Sequence, residues 1–261
     1  MTITNRDNDR YGWEFWIDRG GTFTDVISRD AEGNVRTLKL LSTSDAYEDA
    51  AVEAMRRLLG VPGGAPFPAD RVAAIKMGTT VATNALLERK GAKTLLVTTS
   101  GFADALTIGD QARPHLFVLD IERPPPLHAG VIEADERMSA EGLVLTPLNE
   151  ADLAQRLTQA KVEGFDSVAV AFLHADLNPA HERRAGDIAR AAGFSFVALS
   201  HEVSPLPRFL PRAETTVVDA YLTPILRAYV ERVAGAVAGA PLYFMTSGGG
   251  LVAAEAFRGR D

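Results

Sequence analysis

Residues 16–27 read WIDRGGTFTDVI. An apolar run ends in Asp18, Gly20 and Gly21 follow, and two threonines and a second aspartate close the stretch. Glu14–Asp18 predicts a short buried strand and Phe23–Ser28 a second strand rich in β-formers. Glycine has no Cβ, so Gly20 and Gly21 let the backbone turn sharply and approach a ligand closely. Successive N–H groups in such a turn form an anion-binding concavity. Thr22 and Thr24 add hydroxyl donors for phosphate oxygens. Asp18, at the strand end, is placed to hold Mg2+ directly or through water, with Asp25 as a second carboxylate; that ion takes one or two carboxylates plus substrate phosphates. The competing reading is a tight hairpin turn with incidental polar residues. The stretch matches neither GxxxxGK[ST] nor GxGxxG.

Working outward, DAEGN at 30–34 is a turn with Gly33 suited to positive φ, and Val35–Leu41 is a return strand. Thr43–Gly60 predicts a helix with Ser44 as its cap, ended by Gly60. Arg71–Met77 predicts a strand, Val81–Lys90 a helix stopped by Gly91 as a C′ glycine, and Lys93–Thr98 another strand. Residues 101–147 look mostly irregular. From 149 to 199, helices at Asn149–Glu163 and Pro179–Ala192 alternate with strands at Ser167–Leu173 and Phe194–Leu199. That is a βα pattern implying parallel strands. Ala213–Ala238 predicts a long helix, kinked or broken at Pro224. Leu242–Met245 is a strand opening into Ser247-Gly248-Gly249-Gly250.

The 261 residues are 46% hydrophobic and 23% charged, the balance of a globular chain. A net charge of −7 without a basic tract argues against nucleic-acid binding. The absence of cysteine excludes disulfides and thiolate zinc sites within the chain. The polar N-terminus is no signal peptide, and no apolar run is long enough for a membrane span, so a cytoplasmic protein is expected. The chain stops soon after a glycine-rich loop, and a fragment of something longer is expected.

Strand–Asp–x–Gly–Gly–Thr–x–Thr–Asp followed by a hairpin resembles the first phosphate loop of the actin, hexokinase and Hsp70 superfamily. MGTTVATNALLERKG at 77–91, TTSGFADALTIGDQARPHLF at 98–117, PRAETTVVDAYLTP at 211–224 and FMTSGGGL at 244–251 extend the resemblance to the hydantoinase A/5-oxoprolinase family. Within it, IDRGGTFTDV and LLERKG look most like ATP-dependent 5-oxoprolinases. The resemblance implies an α/β fold with a ribonuclease H-like sheet, a hairpin phosphate loop and an inserted smaller α/β portion over about 45–200. It implies a tail at 1–12, a family N-terminal domain at 13–205 and the start of the next domain at 206–261. It also implies ATP and Mg2+ as cofactors, and opening of 5-oxo-L-proline to L-glutamate after phosphorylation of the lactam oxygen. Family members are much longer, with a second glycine loop and a hydantoinase B-like region downstream. The chain alone is therefore expected to be inactive and to act with those regions as partners, in a homo-oligomer. The alternatives are an ATP-dependent hydantoinase or ketone carboxylase subunit, and, from another class, a non-catalytic nucleotide-binding or assembly module.

Other candidates follow. Gly78, Thr79 and Thr80 sit at a strand-to-helix junction, where N–H groups favour anions; the alternative is simple capping by threonine. Ser247, Gly248 and Gly249 either touch nucleotide or permit a tight turn. Asn84 is the residue of its helix expected to face the cleft and substrate, with Glu88 solvated. Asp110 and Arg113 lie in a polar irregular stretch. Arg113 could pair bidentately with the 5-oxoproline carboxylate or be a surface arginine. Arg19 could meet phosphate, substrate or a structural carboxylate. The five histidines show no HxxxH or HExxH spacing, and ERRAGDIAR at 182–190 reads as a solvated helix face.

Overall fold

The computed structural model describes residues 12–110, 117–118 and 124–259. The chain opens with β1 (Trp13–Arg19), β2 (Phe23–Arg29), β3 (Val35–Leu41), α1 (Ala50–Leu59), β4 (Val72–Thr79) and α2 (Val81–Leu87). It continues through β5 (Thr94–Thr99), α3 (Ala105–Ile108), β6 (Gly130–Ala134), β7 (Arg137–Met138), β8 (Val144–Thr146) and α4 (Glu150–Val162). Then come β9 (Ser167–Ala171), α5 (Ala180–Ala191), β10 (Phe196–Leu199), α6 (Ser200–Val203), α7 (Phe209–Ala236), β11 (Leu242–Met245) and β12 (Leu251–Ala253). Two compact units result. The first joins the residues up to Glu88 with Ile225–Gly259, and the second is Arg89–Pro224. The second unit is thus inserted into the first. It begins later than the expected 45, because α1 and β4 belong to the first unit's layers.

The first unit is built on a six-stranded sheet in the order β12-β11-β4-β1-β2-β3. β1, β2 and β3 form an antiparallel meander, β4 runs parallel to β1, β11 parallel to β4, and β12 antiparallel to β11. β2 alternates strictly between buried and exposed residues, the signature of a sheet with one core face. On that face Phe15, Ile17, Ile75, Met77 and Phe244 pack against Ala54 and Met55 of α1 and Tyr229 and Val233 of α7. α1 starts at Ala50 rather than Thr43. Asp49 is its N-cap, its carboxylate accepting from Ala51 N at 2.9 Å and Val52 N at 3.2 Å. Ser44 instead accepts from Ala46 N in a local turn. Gly60 closes the helix at φ 69°, as its position predicts.

The second unit holds an all-parallel sheet, β10-β9-β5-β6, and the two-stranded pair β7–β8. β9, α5 and β10 follow the predicted βα alternation. β6, β7 and β8 lie in the stretch that looked irregular, because three strands of two to five residues leave no readable period. Gly91 is not a C′ glycine. α2 has already ended at Leu87, Arg89 takes the left-handed φ of 52°, and Gly91 does not lie in that region. Gly91 is there for space, since a Cβ on it would fall 2.1 Å from the Tyr221 ring. α7 runs on as helix through Pro224.

Of the charged residues in 182–190, Arg183, Arg184, Asp187 and Arg190 are exposed, as the solvated-face reading expects, and Glu182 is the exception. Its side chain has no exposed surface. It accepts from Phe172 N at 2.9 Å, from the Ser200 hydroxyl, from His201 N at 3.0 Å, and faces His201 Nδ1 at 2.6 Å. Arg212, equally buried, donates to Ser200 Oγ and to Phe172 O at 3.0 Å and stands 3.7 Å from Glu182. A second buried carboxylate, Glu136, accepts from Thr99 and pairs with His181 Nδ1 at 2.7 Å.

Candidate functional site

The loop between β1 and β2 contains only Gly20, Gly21 and Thr22. Gly20 N donates to Phe23 O at 3.0 Å and closes the turn. A Cβ on Gly20 would lie 2.9 Å from Phe23 O, and one on Gly21 3.0 Å from Asn84 Nδ2. Backbone approach therefore requires glycine at 20, whereas a side chain at 21 would meet only the movable end of Asn84. Below the loop sits Ser42, just past β3. Its N donates to Thr22 O at 2.8 Å, and its hydroxyl donates to Gly20 O at 2.7 Å and lies 3.0 Å from Thr24 Oγ1. Thr24 is fully buried, so the hydroxyl expected to meet phosphate braces the loop from inside.

Strand register decides what else comes near. Asp18 lies opposite Asp25 on one side and Gly78 on the other. Met77 lies beside both Ile17 and Phe244, so β1, β4 and β11 run in step to the same sheet edge. The Gly20–Thr22 loop, the Gly78–Thr80 junction and the Ser247–Gly250 turn leave that edge side by side, across two interstrand steps of about 5 Å each. Ser247–Gly250 joins β11 to β12 as a hairpin turn closed by Thr246, with Thr246 N donating to Gly250 O at 2.9 Å and Gly249 at φ 81°. The N–H groups of Gly21, Thr22, Ser247 and Gly248, and the hydroxyls of Thr22 and Ser247, have no hydrogen-bond partner among the described residues.

The junction itself is internally braced. Thr79 Oγ1 accepts from Val81 N at 3.2 Å. Thr80 donates to Arg19 O through its N at 3.0 Å and its hydroxyl at 3.2 Å, and accepts from Asn84 Nδ2 at 3.3 Å. Asn84 thus stands against the glycine loop. Glu88 is exposed.

Asp18 and Arg19, being neighbours on a strand, point to opposite faces. Asp18 is exposed, and its carboxylate makes no hydrogen bond or ion pair with a described residue. Asp25 pairs with Lys39 at 2.9 Å. Farther along the same face, burial works against the Glu14 carboxylate, yet hydrogen bonds from Lys76 and Arg29 hold its pKa below the ordinary value. Arg19 lies on the core side. Its Nε is buried, 3.9 Å from Asp49, and its guanidinium stacks 4.8 Å above the Tyr229 ring. Burial, then the Asp49 charge, push the Tyr229 phenol well up. Among the readings open for Arg19, these contacts are those of a structural cation.

A divalent ion at this edge would find two carboxylates, Asp18 and Asp25, and no soft ligand. Among the described residues no group of three or more His, Cys, Asp or Glu gathers to hold a metal. That oxygen-only, carboxylate-poor set fits Mg2+ bound with phosphates and water. Asp110 lies in the second unit, and Arg113 lies outside the described residues. Ser42, Asp49 and Tyr229 were not apparent from the sequence, because none lies in a motif and each acts on a residue distant along the chain.

Profiles of known families match almost the whole chain: the hydantoinase/oxoprolinase N-terminal region over residues 14–193, and hydantoinase/oxoprolinase over 212–261. A 5-oxoprolinase of Saccharomyces cerevisiae is 39% identical over 93% of this chain, which spans 22% of that enzyme's length. Among solved structures, the ATP-dependent caprolactamase from Pseudomonas jessenii superposes with a TM-score of 0.76 at 32% identity, covering 92% of this chain and 36% of its own. Nucleotide-free acetone carboxylase superposes equally well, with a TM-score of 0.76 over 93% of this chain and 37% of its own, at 22% identity, a likeness of fold alone.

Proposed function

Because this chain belongs to the hydantoinase/oxoprolinase family and has the actin/hexokinase-like fold of its members, we propose that it is the nucleotide-handling N-terminal part of an ATP-dependent cyclic-amide hydrolase acting on 5-oxo-L-proline. The observation that carries the proposal is the gathering of three glycine-containing segments at one sheet edge, with N–H groups and an Asp18 carboxylate that have no partner among the described residues. Relatives named 5-oxoprolinase and ATP-dependent caprolactamase support the lactam substrate.

A lactam resists water because its carbonyl carbon is poorly electrophilic. In the proposed reaction the lactam oxygen attacks the γ-phosphorus of ATP, an O–P bond forms, and the bond to the bridging oxygen breaks to release ADP. One water then adds to the activated ring carbon and the C–N bond opens to leave an acyl phosphate, and a second water hydrolyses that acyl phosphate to release phosphate and L-glutamate. Phosphoryl transfer depends on positioning and on neutralising charge. The N–H groups of Gly21, Thr22, Ser247 and Gly248 would donate to phosphate oxygens, with the Thr22 and Ser247 hydroxyls beside them. Asp18 would hold Mg2+ directly or through water, with Asp25 as the second carboxylate; the ion would neutralise phosphate charge. Thr24, Thr79 and Thr80 would hold the loops in shape, and Asn84 would bear on the glycine loop from α2. The hydrolytic half, the substrate contacts of Asp110 and Arg113, homo-oligomerisation, a cytoplasmic setting and the inactivity of this chain alone belong to the same proposal.

The test is phosphate release by the full-length protein with Mg·ATP, with and without 5-oxoproline. Stimulation by 5-oxoproline is expected, and Asp18→Ala should lower it at least about a hundredfold, the cost of losing a preorganised charge-stabilising group. Stimulation by a hydantoin or a ketone instead would replace the substrate and keep the site. No nucleotide binding would reduce the glycine loop to a hairpin turn and favour an assembly module.

A further inference from the structure

We propose that Ser42 is a positioning residue for phosphate binding: its hydroxyl orients the Gly20–Gly21 peptide so that the Gly21 N–H faces the nucleotide. The inference rests on the reading of this edge as an ATP site. Ser42 is only 5% exposed. Its hydroxyl donates to Gly20 O at 2.7 Å, so it must accept the bond from Thr24 Oγ1 at 3.0 Å. A directed chain results: Thr24 to Ser42 to Gly20. Its own N–H fastens Thr22 O at 2.8 Å, so both ends of the three-residue loop are tied to one buried residue.

The consequence follows from peptide geometry. The Gly20–Gly21 peptide is trans, as every described peptide is. In a planar trans peptide the C=O and the following N–H point in opposite directions. Drawing Gly20 O inward onto Ser42 therefore turns the Gly21 N–H outward, where it has no partner among the described residues. With glycine on both sides of the peptide, little steric resistance opposes a flip. Without the Ser42 hydroxyl, the loop has lost the bond that selects one orientation.

The experiment is steady-state kinetics of the full-length protein carrying Ser42→Ala, Ser42→Thr or Thr24→Val, with thermal unfolding of each. Ser42→Ala should raise KM for ATP and lower kcat/KM for ATP about tenfold or more. It should leave KM for the cyclic amide and the melting temperature near those of the unchanged protein, and Ser42→Thr should restore most of the loss. Thr24→Val, which leaves Ser42 in place but removes the donor that directs its hydroxyl, should show a smaller loss in the same parameter, and it decides the matter if Ser42→Ala does not fold. Wild-type kinetics in Ser42→Ala, or a loss that affects both substrates alike, overturns the role of Ser42 while the ATP site stands. An unchanged protein that neither binds nor hydrolyses ATP overturns both together.

Discussion

Arg212 has no exposed surface, and its guanidinium lies among Ser200, Phe172 O and the Glu182 carboxylate. A charge taken out of water is tolerable only with its partners in place, and removing one partner of such a pair leaves the other uncompensated. Arg212→Ala should therefore destabilise the second unit by about 3–5 kcal/mol, read from urea unfolding; a loss within that of an ordinary surface change would show that Glu182 finds other partners. Glu14 behaves differently, because its partners Lys76 and Arg29 reach solvent. Its folded pKa lies below its unfolded one. The contribution is thus present above the ordinary glutamate pKa and is lost as pH falls through the depressed folded value. Unfolding measured from neutral pH down through the carboxylate range should lose stability in that window. Glu14→Gln should flatten the loss, and identical acid profiles would refute this assignment.

The start of α1 distinguishes two candidate caps. Asp49 satisfies two N–H groups of the first turn, whereas Ser44 bonds only within its own turn. Asp49→Ala should cost about 1–2 kcal/mol and also release the Arg19 side chain; Ser44→Ala should cost a few tenths at most. Equal effects would mean that the helix is capped elsewhere. The turn after α2 offers a parallel case. A methyl on Gly91 would meet the Tyr221 ring at 2.1 Å, so Gly91→Ala should destabilise by about 1–3 kcal/mol through overpacking. Tyr221→Leu in the same chain should recover part of it, whereas a cost caused by a lost C′ glycine would not be recovered.

Each compact unit has a hydrophobic core of its own: one on the six-stranded sheet, and two clusters on either face of the parallel sheet. The proposed nucleotide loops all belong to the first unit. Mg·ATP should therefore slow hydrogen exchange in the full-length protein at Gly20–Thr22, Gly78–Thr80 and Ser247–Gly250, and leave β5 and β9 unchanged. A ligand at a hundred times its Kd adds about 2.7 kcal/mol to whatever unit binds it, enough to be seen in the ladder amides of β1 and β4, which are paired on both sides. Protection confined to β5 and β9 would move the site to the second unit.

Features set by neighbours a few residues apart were legible in the chain itself. The strand–glycine–strand opening, the turn at Gly33, the end of α1 at Gly60, the βα alternation after 149 and the strand before the second glycine turn all rest on side-chain period and φ preference, which act over one to four residues. The edge that collects Asp18, Gly20, Gly78 and Ser247 was partly legible, since each lies at the end of a strand or just past it; that the strands lie side by side and in step depends on ladder register. Other features rest on partners brought together by packing. Ser42 reaches back 22 residues to Gly20, Arg19 finds Asp49 and Tyr229, and Glu182 is drawn inside by Arg212, His201 and Phe172. A carboxylate or a serine has the same local pattern whether it faces water or a buried partner, because that difference is set by desolvation and by groups from elsewhere in the chain.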